Sequence, residues 1–307
     1  MKTIHEAKEL NARGGKVCLA IGVFDGVHLG HQQILRQAIS DARQHDAVSV
    51  AITFDRHPNA VVAPDKVPPL IYSLSKKLET IGSLGIEYTL LIHFGKKFSE
   101  QTGEEFIHHL ARDFGKIDSV CVGADFVFGH KRSGHVALLK KLGAELHFQV
   151  HGLSAVSLDG EVVNSTRIRE LIRAGDIDAA SQMLGRPYTI SGKIISGDKL
   201  GHALGFPTAN LDTAGLVFPP NGVYAARTKI KNQSYRVALN IGVRPTVSTG
   251  QRELRVEAHL LDFKGDLYGE TLQVEIGAKL REERQFGSKE ELQIQIRKDV
   301  SAVRQGV

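Results

Sequence analysis

Apolar runs of strand length alternate with helical periodicity through the first half of the chain. Positions 17–23 predict a strand, and a helical pattern follows over 28–45. The same alternation predicts strands at 47–54, 88–94, 119–123 and 146–150, with helices at 73–83, 102–113 and 134–142 between them. The 102–113 helix opens on Thr102-Gly-Glu-Glu105, which has the form of a capping box. Strands that alternate with helices in this way predict a doubly wound parallel sheet.

After two short helical stretches, 165–174 and 176–184, the texture changes. From Tyr188 onward, short strands at 189–197, 222–230, 234–242, 255–263 and 271–280 are separated by Gly, Pro, Asp and Asn turns. Evenly spaced short strands predict a closed antiparallel β-barrel. A second capping box, Ser288-Lys-Glu-Glu291, opens a C-terminal helix over 288–304 with Leu292, Ile296, Val300 and Val303 on one stripe. The two textures divide the chain near Gly185-Arg186-Pro187, into an α/β domain over 1–186 and a barrel domain over 187–307.

Composition narrows the class. A length of 307 residues suits two domains, and 24% charged with 42% hydrophobic residues excludes disordered, collagen-like and coiled-coil chains. No apolar run approaches the ~18 residues of a membrane span, and the N-terminal segment lacks the apolar stretch of a secretory signal. The expectation is a cytoplasmic protein with no membrane partner. Cys18 and Cys121 lie far apart in apolar runs and read as buried thiols of a reducing cytoplasm, not as a disulfide framework or a zinc site. A net charge of +5 suits either nucleic acid or small anions. With no Trp and 6% aromatic residues there is no stacking platform for bases, which favours small anions over nucleic acid. The 31 glycines are more informative, because many cluster in a few loops.

The first such loop is Gly22-Val-Phe-Asp-Gly-Val-His-Leu-Gly-His31, which follows a strand and opens a helix. Its glycines permit a tight turn and close approach of phosphate oxygens. His28 and His31 are one helical turn apart at the positive end of the dipole, where imidazoles can donate to a triphosphate. The loop lacks GxxxxGK[ST] and GxGxxG, so it is neither a Walker A loop nor a dinucleotide fingerprint. Two bare histidines at this spacing are commonly just exposed helix residues; the complete string, placed after the first strand, carries the functional reading. HxGH there is similar to the signature of the nucleotidyltransferase superfamily, which attacks a nucleotide α-phosphate and expels pyrophosphate. Asn164-Ser-Thr-Arg-Ile-Arg169 adds hydroxyls and guanidinium groups at a helix start, suited to phosphate. Thr53-Phe-Asp-Arg-His-Pro58 and Val122-Gly-Ala-Asp-Phe-Val-Phe-Gly129 end predicted strands and mix aromatic with polar groups. Phe126 and Phe128 fit a flavin pocket and a core position equally well.

The second loop, Gly197-Asp-Lys-Leu-Gly-His-Ala-Leu-Gly-Phe-Pro-Thr-Ala-Asn-Leu211, is glycine-rich and basic. It offers backbone N–H groups to a diphosphate, while the Thr208 hydroxyl and Asn210 carboxamide are hard oxygen ligands for Mg2+. In Val256-Glu-Ala-His259, strand alternation puts Glu257 and His259 on one face, where Glu257 is either an exposed-face charge or a general base.

The motifs GVFDGVHLGH, TFDRHP, VGADFVFG, NSTRIR, LGRPYTISGKIISGD, LGFPTANL, PPNGVYA, NIGVRPT, VEAHLLDFKGDLYG and LREERQF follow one another along the chain. Over essentially its full length the chain resembles the bacterial bifunctional riboflavin kinase/FMN adenylyltransferases. The resemblance implies a flavokinase barrel that makes FMN from riboflavin and ATP, and a nucleotidyltransferase domain that makes FAD and pyrophosphate from FMN and ATP. It implies that Gly22, Phe24, Asp25, Gly26, His28, His31, Ser165, Thr166 and Arg167 bind ATP in the first domain, with His28 and His31 catalytic. Phe54, His57, Pro58, Asp125, Phe126 and Phe128 would line the adjoining flavin pocket. In the barrel, Gly197, Lys199, Gly201, His202, Gly205, Pro207, Thr208 and Asn210 would bind ATP. Thr208 and Asn210 would also hold Mg2+, Glu257 would be the general base, and Arg281, Glu283 and Phe286 would lie near the flavin. The implied partners are small molecules only, with the chain a monomer or a weak homo-oligomer. Two positions depart from the family pattern: His202 and Val127 each stand where arginine is usual. An adenylyltransferase with a kinase-inactive flavin-binding barrel, or a nucleic-acid-binding barrel fused to a nucleotide-binding domain, remain open alternatives.

Overall fold

The computed structural model describes residues 1–13, 15–197, 201, 204–245 and 252–306. Lys199 and His202 lie outside the described residues. The chain divides into two compact units, Met1–Arg167 and Ile168–Val307.

The first unit is built on a parallel sheet of β1 (Lys2–Ile4), β2 (Val17–Ile21), β3 (Val48–Phe54), β4 (Tyr88–Ile92), β5 (Ile117–Gly123) and β8 (Gln149–Leu153). Their order is β1-β4-β3-β2-β5-β8, so β2 lies centrally and the crossovers wind outward on both sides. Every residue of β2 is buried, as expected of a strand covered on both faces. Period-two alternation then divides the core. Leu19 and Ile21 pack with Val50, Ile52 and Val120 in one cluster, and Ala20 packs with Ala51 and Cys121 in another. The covering helices are α1 (Leu29–Gln44), α3 (Leu74–Ser83), α5 (Gly103–Phe114) and α6 (Val136–Leu146), with one-turn helices α2 (Asn59–Val62) and α4 (Lys96–Ser99) between them. The expected capping box is formed: the Thr102 hydroxyl accepts from Glu105 N–H while the Glu105 carboxylate accepts from Thr102 N–H.

Two predicted boundaries shift. The helix expected from 134 begins at Val136, because the extended His135 caps it through Leu138 N–H, while Gly134 and His135 pair with β6 (Val127–Phe128) as the two-residue strand β7 (Gly134–His135). The strand expected from 146 begins at Gln149, because α6 runs through Leu146 and His147 turns left-handed to end it. A short ladder of β9 (Ser157–Leu158) with β10 (Glu161–Val162) leads to α7 (Ser165–Ala174).

In the second unit, α8 (Ile177–Leu184) is capped by Asp176 at its start and by left-handed Gly185 at its end. Residues 168–186, assigned by sequence to the first domain, cluster with this unit; here Gly175 packs toward Pro220 and the Ser181 hydroxyl accepts from Tyr188 N–H. A closed antiparallel barrel follows: β11 (Thr189–Ile195), β12 (Ala209–Asp212), β13 (Gly222–Ile230), β14 (Gln233–Pro245), β15 (Arg252–Leu260) and β16 (Thr271–Arg281). The order is β11-β12-β15-β14-β13-β16, closed by β16 on β11. Strand β12 was not among the predicted strands; four residues beside a proline give too little pattern. The C-terminal helix α9 (Lys289–Gln305) starts at Ser288, whose hydroxyl accepts from Glu291 N–H. The architecture is thus the expected α/β sheet domain followed by an antiparallel barrel and a terminal helix.

Candidate functional site

The first site forms where β2 ends and α1 begins. Between them the backbone takes positive φ at Phe24 (52°), Gly26 (77°) and Val27 (42°). Such conformations cost free energy for non-glycine residues and cluster at functional turns. The turn holds because its side chains are anchored. Phe24 is fully buried, and its ring meets the His31 ring edge-on at 5.3 Å. The absent Cβ of Gly22 makes room for Phe24: one built there would stand 2.8 Å from that ring. The buried Asp25 carboxylate accepts from the N–H groups of Ile71 and Tyr72, so it pins the 71–72 backbone.

His28 caps α1: its Nδ1 accepts from His31 N–H at 3.4 Å. An Nδ1 that accepts leaves the ring proton on Nε2. The two imidazoles stack at 3.6 Å between centroids, inclined by 23°. Stacked rings at a helix N-terminus present paired donors where the dipole favours an anion. Ser165 approaches from the start of α7 and donates to the Asp25 carbonyl at 3.1 Å. Thr166 is exposed, and Arg167 pairs with Glu161 at 2.8 Å.

The expected aromatic pocket residues lie at the ends of β3 and β5. Phe54 meets Phe94 edge-on at 5.2 Å and is nearly buried. Phe126 and Phe128 stack at 5.1 Å and pack against the sheet core, so core packing accounts for much of both side chains. His57 Nδ1 accepts from Asn59 N–H and Pro58 caps the short α2, while Asp125 is exposed. Sequence reasoning missed Lys77. Its ammonium is buried and donates to the Phe54 and Val23 carbonyls and to the Thr53 hydroxyl, tying together the strand ends that carry two of the motifs. The available signal was a lysine on the stripe it shares with Thr80 and Ile81, the buried face of α3.

In the barrel, two cavities share a wall. One, of about 280 Å³, is lined by Glu257, Arg281, Glu283 and Phe286, and also by Thr208 and Asn210. The other, of about 410 Å³, is lined by Gly197, Pro207, Phe263 and Tyr268, and again by Thr208 and Asn210. Register sets the chemistry of this wall. Glu257 pairs with Asn210 across β12 and with Asn240 across β14, so two carboxamides flank the carboxylate. Along β15 the alternation is as expected: Val256 and Ala258 are buried, while Glu257 and His259 line the first cavity. His259 Nδ1 contacts the Pro207 carbonyl at 2.8 Å and so fixes the segment before Thr208. Gly205, at φ 84°, supplies the left-handed turn that precedes it.

Glycines set the closest approaches. A Cβ at Gly197 would stand 2.2 Å from Asn210 Nδ2, and one at Gly201 would stand 2.5 Å from the Phe206 carbonyl oxygen. Arg281 grips buried Asp299 of α9 through Nε at 3.0 Å and Nη2 at 2.8 Å, a partner that sequence did not indicate. The guanidinium groups of Arg281 and Arg284 also lie 5.8 and 4.8 Å from the Phe286 ring centroid. Glu283 accepts from the Asn221 carboxamide and Val243 N–H.

Comparison with known proteins follows the same division. The FAD synthetase family matches residues 11–167 and the riboflavin kinase family matches residues 184–307. A bifunctional riboflavin kinase/FMN adenylyltransferase of Pseudomonas fluorescens is 38% identical over 288 residues, covering 94% of this chain and 92% of that protein. Its counterpart in Escherichia coli K12 is 34% identical over 307 residues, covering 99% and 97%. A solved structure from Streptococcus pneumoniae, described as a macrolide-efflux protein, has a TM-score of 0.81 at 28% identity and covers 98% of both chains. Among the described residues no helix is long and apolar enough to cross a membrane. Both family matches stand in chain order and the relatives align nearly end to end: the chain belongs to the bifunctional riboflavin kinase/FMN adenylyltransferase family.

Proposed function

We propose that residues 187–307 phosphorylate riboflavin to FMN with ATP, and that residues 1–186 adenylylate FMN to FAD with a second ATP. The observation that carries the reading is the wall of Thr208 and Asn210 shared by the two barrel cavities, with Glu257 beside it. Phosphoryl transfer needs a donor and an acceptor held on either side of one polar partition. The cavity with Phe263 and Tyr268 offers apolar surface to a nucleotide base, and Gly197 offers backbone to its phosphates. The cavity with Glu257, Arg281 and Phe286 takes riboflavin.

In the kinase step, Glu257 accepts the proton of the ribityl 5′-hydroxyl, that oxygen attacks the γ-phosphorus, and ADP leaves. Thr208, Asn210 and Glu257 are hard oxygen donors on one cavity, so the residues fit Mg2+. Thr208 and Asn210 would hold the ion, which neutralises phosphate charge. In the adenylyl step, a phosphate oxygen of FMN attacks the α-phosphorus of ATP and pyrophosphate leaves. The FMN phosphate is already a nucleophile, so this site needs donors more than a base. His28 and His31 supply donors from the ring nitrogens, and Ser165 with the N-terminus of α7 completes the phosphate cradle.

The test is purified protein with riboflavin and Mg-ATP, with FMN and FAD separated over time. FMN should appear first and FAD should follow at its expense. FAD formed only from added FMN would reduce the barrel to a flavin-binding module. Salt-dependent binding to single-stranded RNA without flavin binding would replace the reading altogether.

A further inference from the structure

The first unit also holds a chemically distinct cluster at the opposite end of β2 from the His28–His31 turn. Cys18 lies near the start of β2, where it pairs in register with Ser119 of β5, the neighbour of Asp118. His45 ends α1, its backbone N–H donating to the Asp41 carbonyl at 2.9 Å. Its ring Nδ1 bonds the Asp118 carboxylate. The Cys18 sulfur, a His45 ring nitrogen and an Asp118 oxygen all lie within 4.8 Å of one another. The sulfur is fully buried, whereas the His45 and Asp118 side chains are 33% and 19% exposed. The cluster therefore has a dry floor and a mouth open to water.

We propose that Cys18, His45 and Asp118 bind one thiophilic divalent cation of the Zn2+ class, with water as the fourth ligand. The donor set decides the ion. Thiolate, imidazole and carboxylate together suit Zn2+, while Mg2+ avoids sulfur and prefers an all-oxygen octahedron. Closing the shell needs only small side-chain movements, because Zn–S and Zn–N bonds of about 2.3 and 2.0 Å draw the outlying ligand atoms inward while the ion separates the directly bonded His45 and Asp118. Binding breaks the Cys18 S–H bond, forms the sulfur–metal bond and releases the proton to water. The ion also takes the place of the His45–Asp118 hydrogen bond: Nδ1 becomes a ligand and the neutral ring keeps its proton on Nε2. Burial holds the Cys18 thiol above its ordinary range, with a hydrogen bond from Ser119 pulling the other way. Behind the cluster, buried Asp41 accepts from the Ser119 hydroxyl at 2.6 Å and faces Cys121 and His151. Those groups satisfy one another and form a polar backing rather than a second site. Lys16 lies 3.9 Å from the Asp118 carboxylate and competes with the cation for it.

The experiment uses the full chain in Mg2+ buffer, titrated with Co2+ and read by the thiolate-to-cobalt charge-transfer band, followed by displacement with Zn2+. Wild type and Cys121→Ser should each take up one equivalent with that band. Cys18→Ser should lose the band, His45→Gln should bind weaker by roughly tenfold or more, and Lys16→Ala should bind more tightly. FMN and FAD synthesis without added Co2+ or Zn2+ should be unchanged in His45→Gln. Absence of the band in wild type, or its survival in Cys18→Ser, overturns the proposal. Should Cys18→Ser fail to fold by circular dichroism, undiminished affinity in the half-exposed His45→Gln variant overturns it instead.

Discussion

The Lys77 ammonium donates to the Phe54 carbonyl oxygen at 2.8 Å from a site that is 7% exposed. Further bonds to the Thr53 hydroxyl and the Val23 carbonyl make it a clamp on the ends of β2 and β3. Burial pushes its pKa down to about 8, with Asp25 and Asp55 pulling partly the other way. The folded pKa thus lies below the unfolded one. Between about pH 8 and 10.5 the unfolded chain holds a proton that the folded chain has released, so the stability owed to Lys77 rises with pH across that window and is least below it. Relative to Lys77→Met, the wild type should gain about 3 kcal/mol between the two ends of the window, measured by urea unfolding. A difference that does not change with pH would show that the clamp carries no buried charge.

His31 stacks on His28, which is held in place as the cap of α1, so removal of the outer ring should leave the helix start intact. His31→Ala should lower FAD formation from FMN by ~10²- to 10³-fold, the loss typical of one preorganised donor to a developing anion. FMN formation from riboflavin should be unchanged. Chromatographic assay of both products decides it, and unimpaired FAD synthesis would remove His31 from the mechanism.

Much of this could be read from the chain before the structure was known, and the reason is physical. Strands of five to seven residues, covered on both faces, leave near-continuous apolar runs, as at Val17–Ile21 and Val48–Phe54. Phosphate-binding turns are local, so glycines and histidines a few residues apart show themselves. What sequence did not show is non-local. Asp299 became Arg281's partner only when α9 folded against the end of β16. The resemblance places Asp25 among the ATP-binding residues, but nothing in the local sequence shows that its carboxylate accepts from backbone N–H groups 46 and 47 positions away. Strand β12, beside a proline, left too short a pattern, although it sets Asn210 against Glu257.

Glu257 sits between Asn210 and Asn240, which can hold a carboxylate in place without neutralising it. If it is the base, Glu257→Ala should lower kcat for FMN formation by about 10²- to 10⁴-fold, with little change in KM for ATP. FMN-to-FAD conversion should survive, since His28 and His31 belong to the other unit. Equal loss of both activities would contradict the division of labour.

Two glycines in the barrel make close approaches to side chains of different reach, and their alanine variants should separate the two substrates. At Gly197 a Cβ would stand 2.2 Å from Asn210 Nδ2 and 2.5 Å from its Cγ. Asn210 is short and rooted in β12, so it can yield only by leaving the wall between the cavities. At Gly242 the Cβ would stand 2.2 Å from Glu283 Oε1, the end of a longer, exposed side chain that can swing aside by giving up its bonds from Asn221 and Val243 N–H. Gly197→Ala should therefore depress kcat for FMN formation and weaken its response to Mg-ATP. Gly242→Ala should keep most of kcat and raise KM for riboflavin, because Glu283 lines the cavity proposed for riboflavin. Steady-state kinetics with each substrate varied in turn checks both, and the same rise in riboflavin KM in the two variants would show that Asn210 and Glu283 do not serve different substrates.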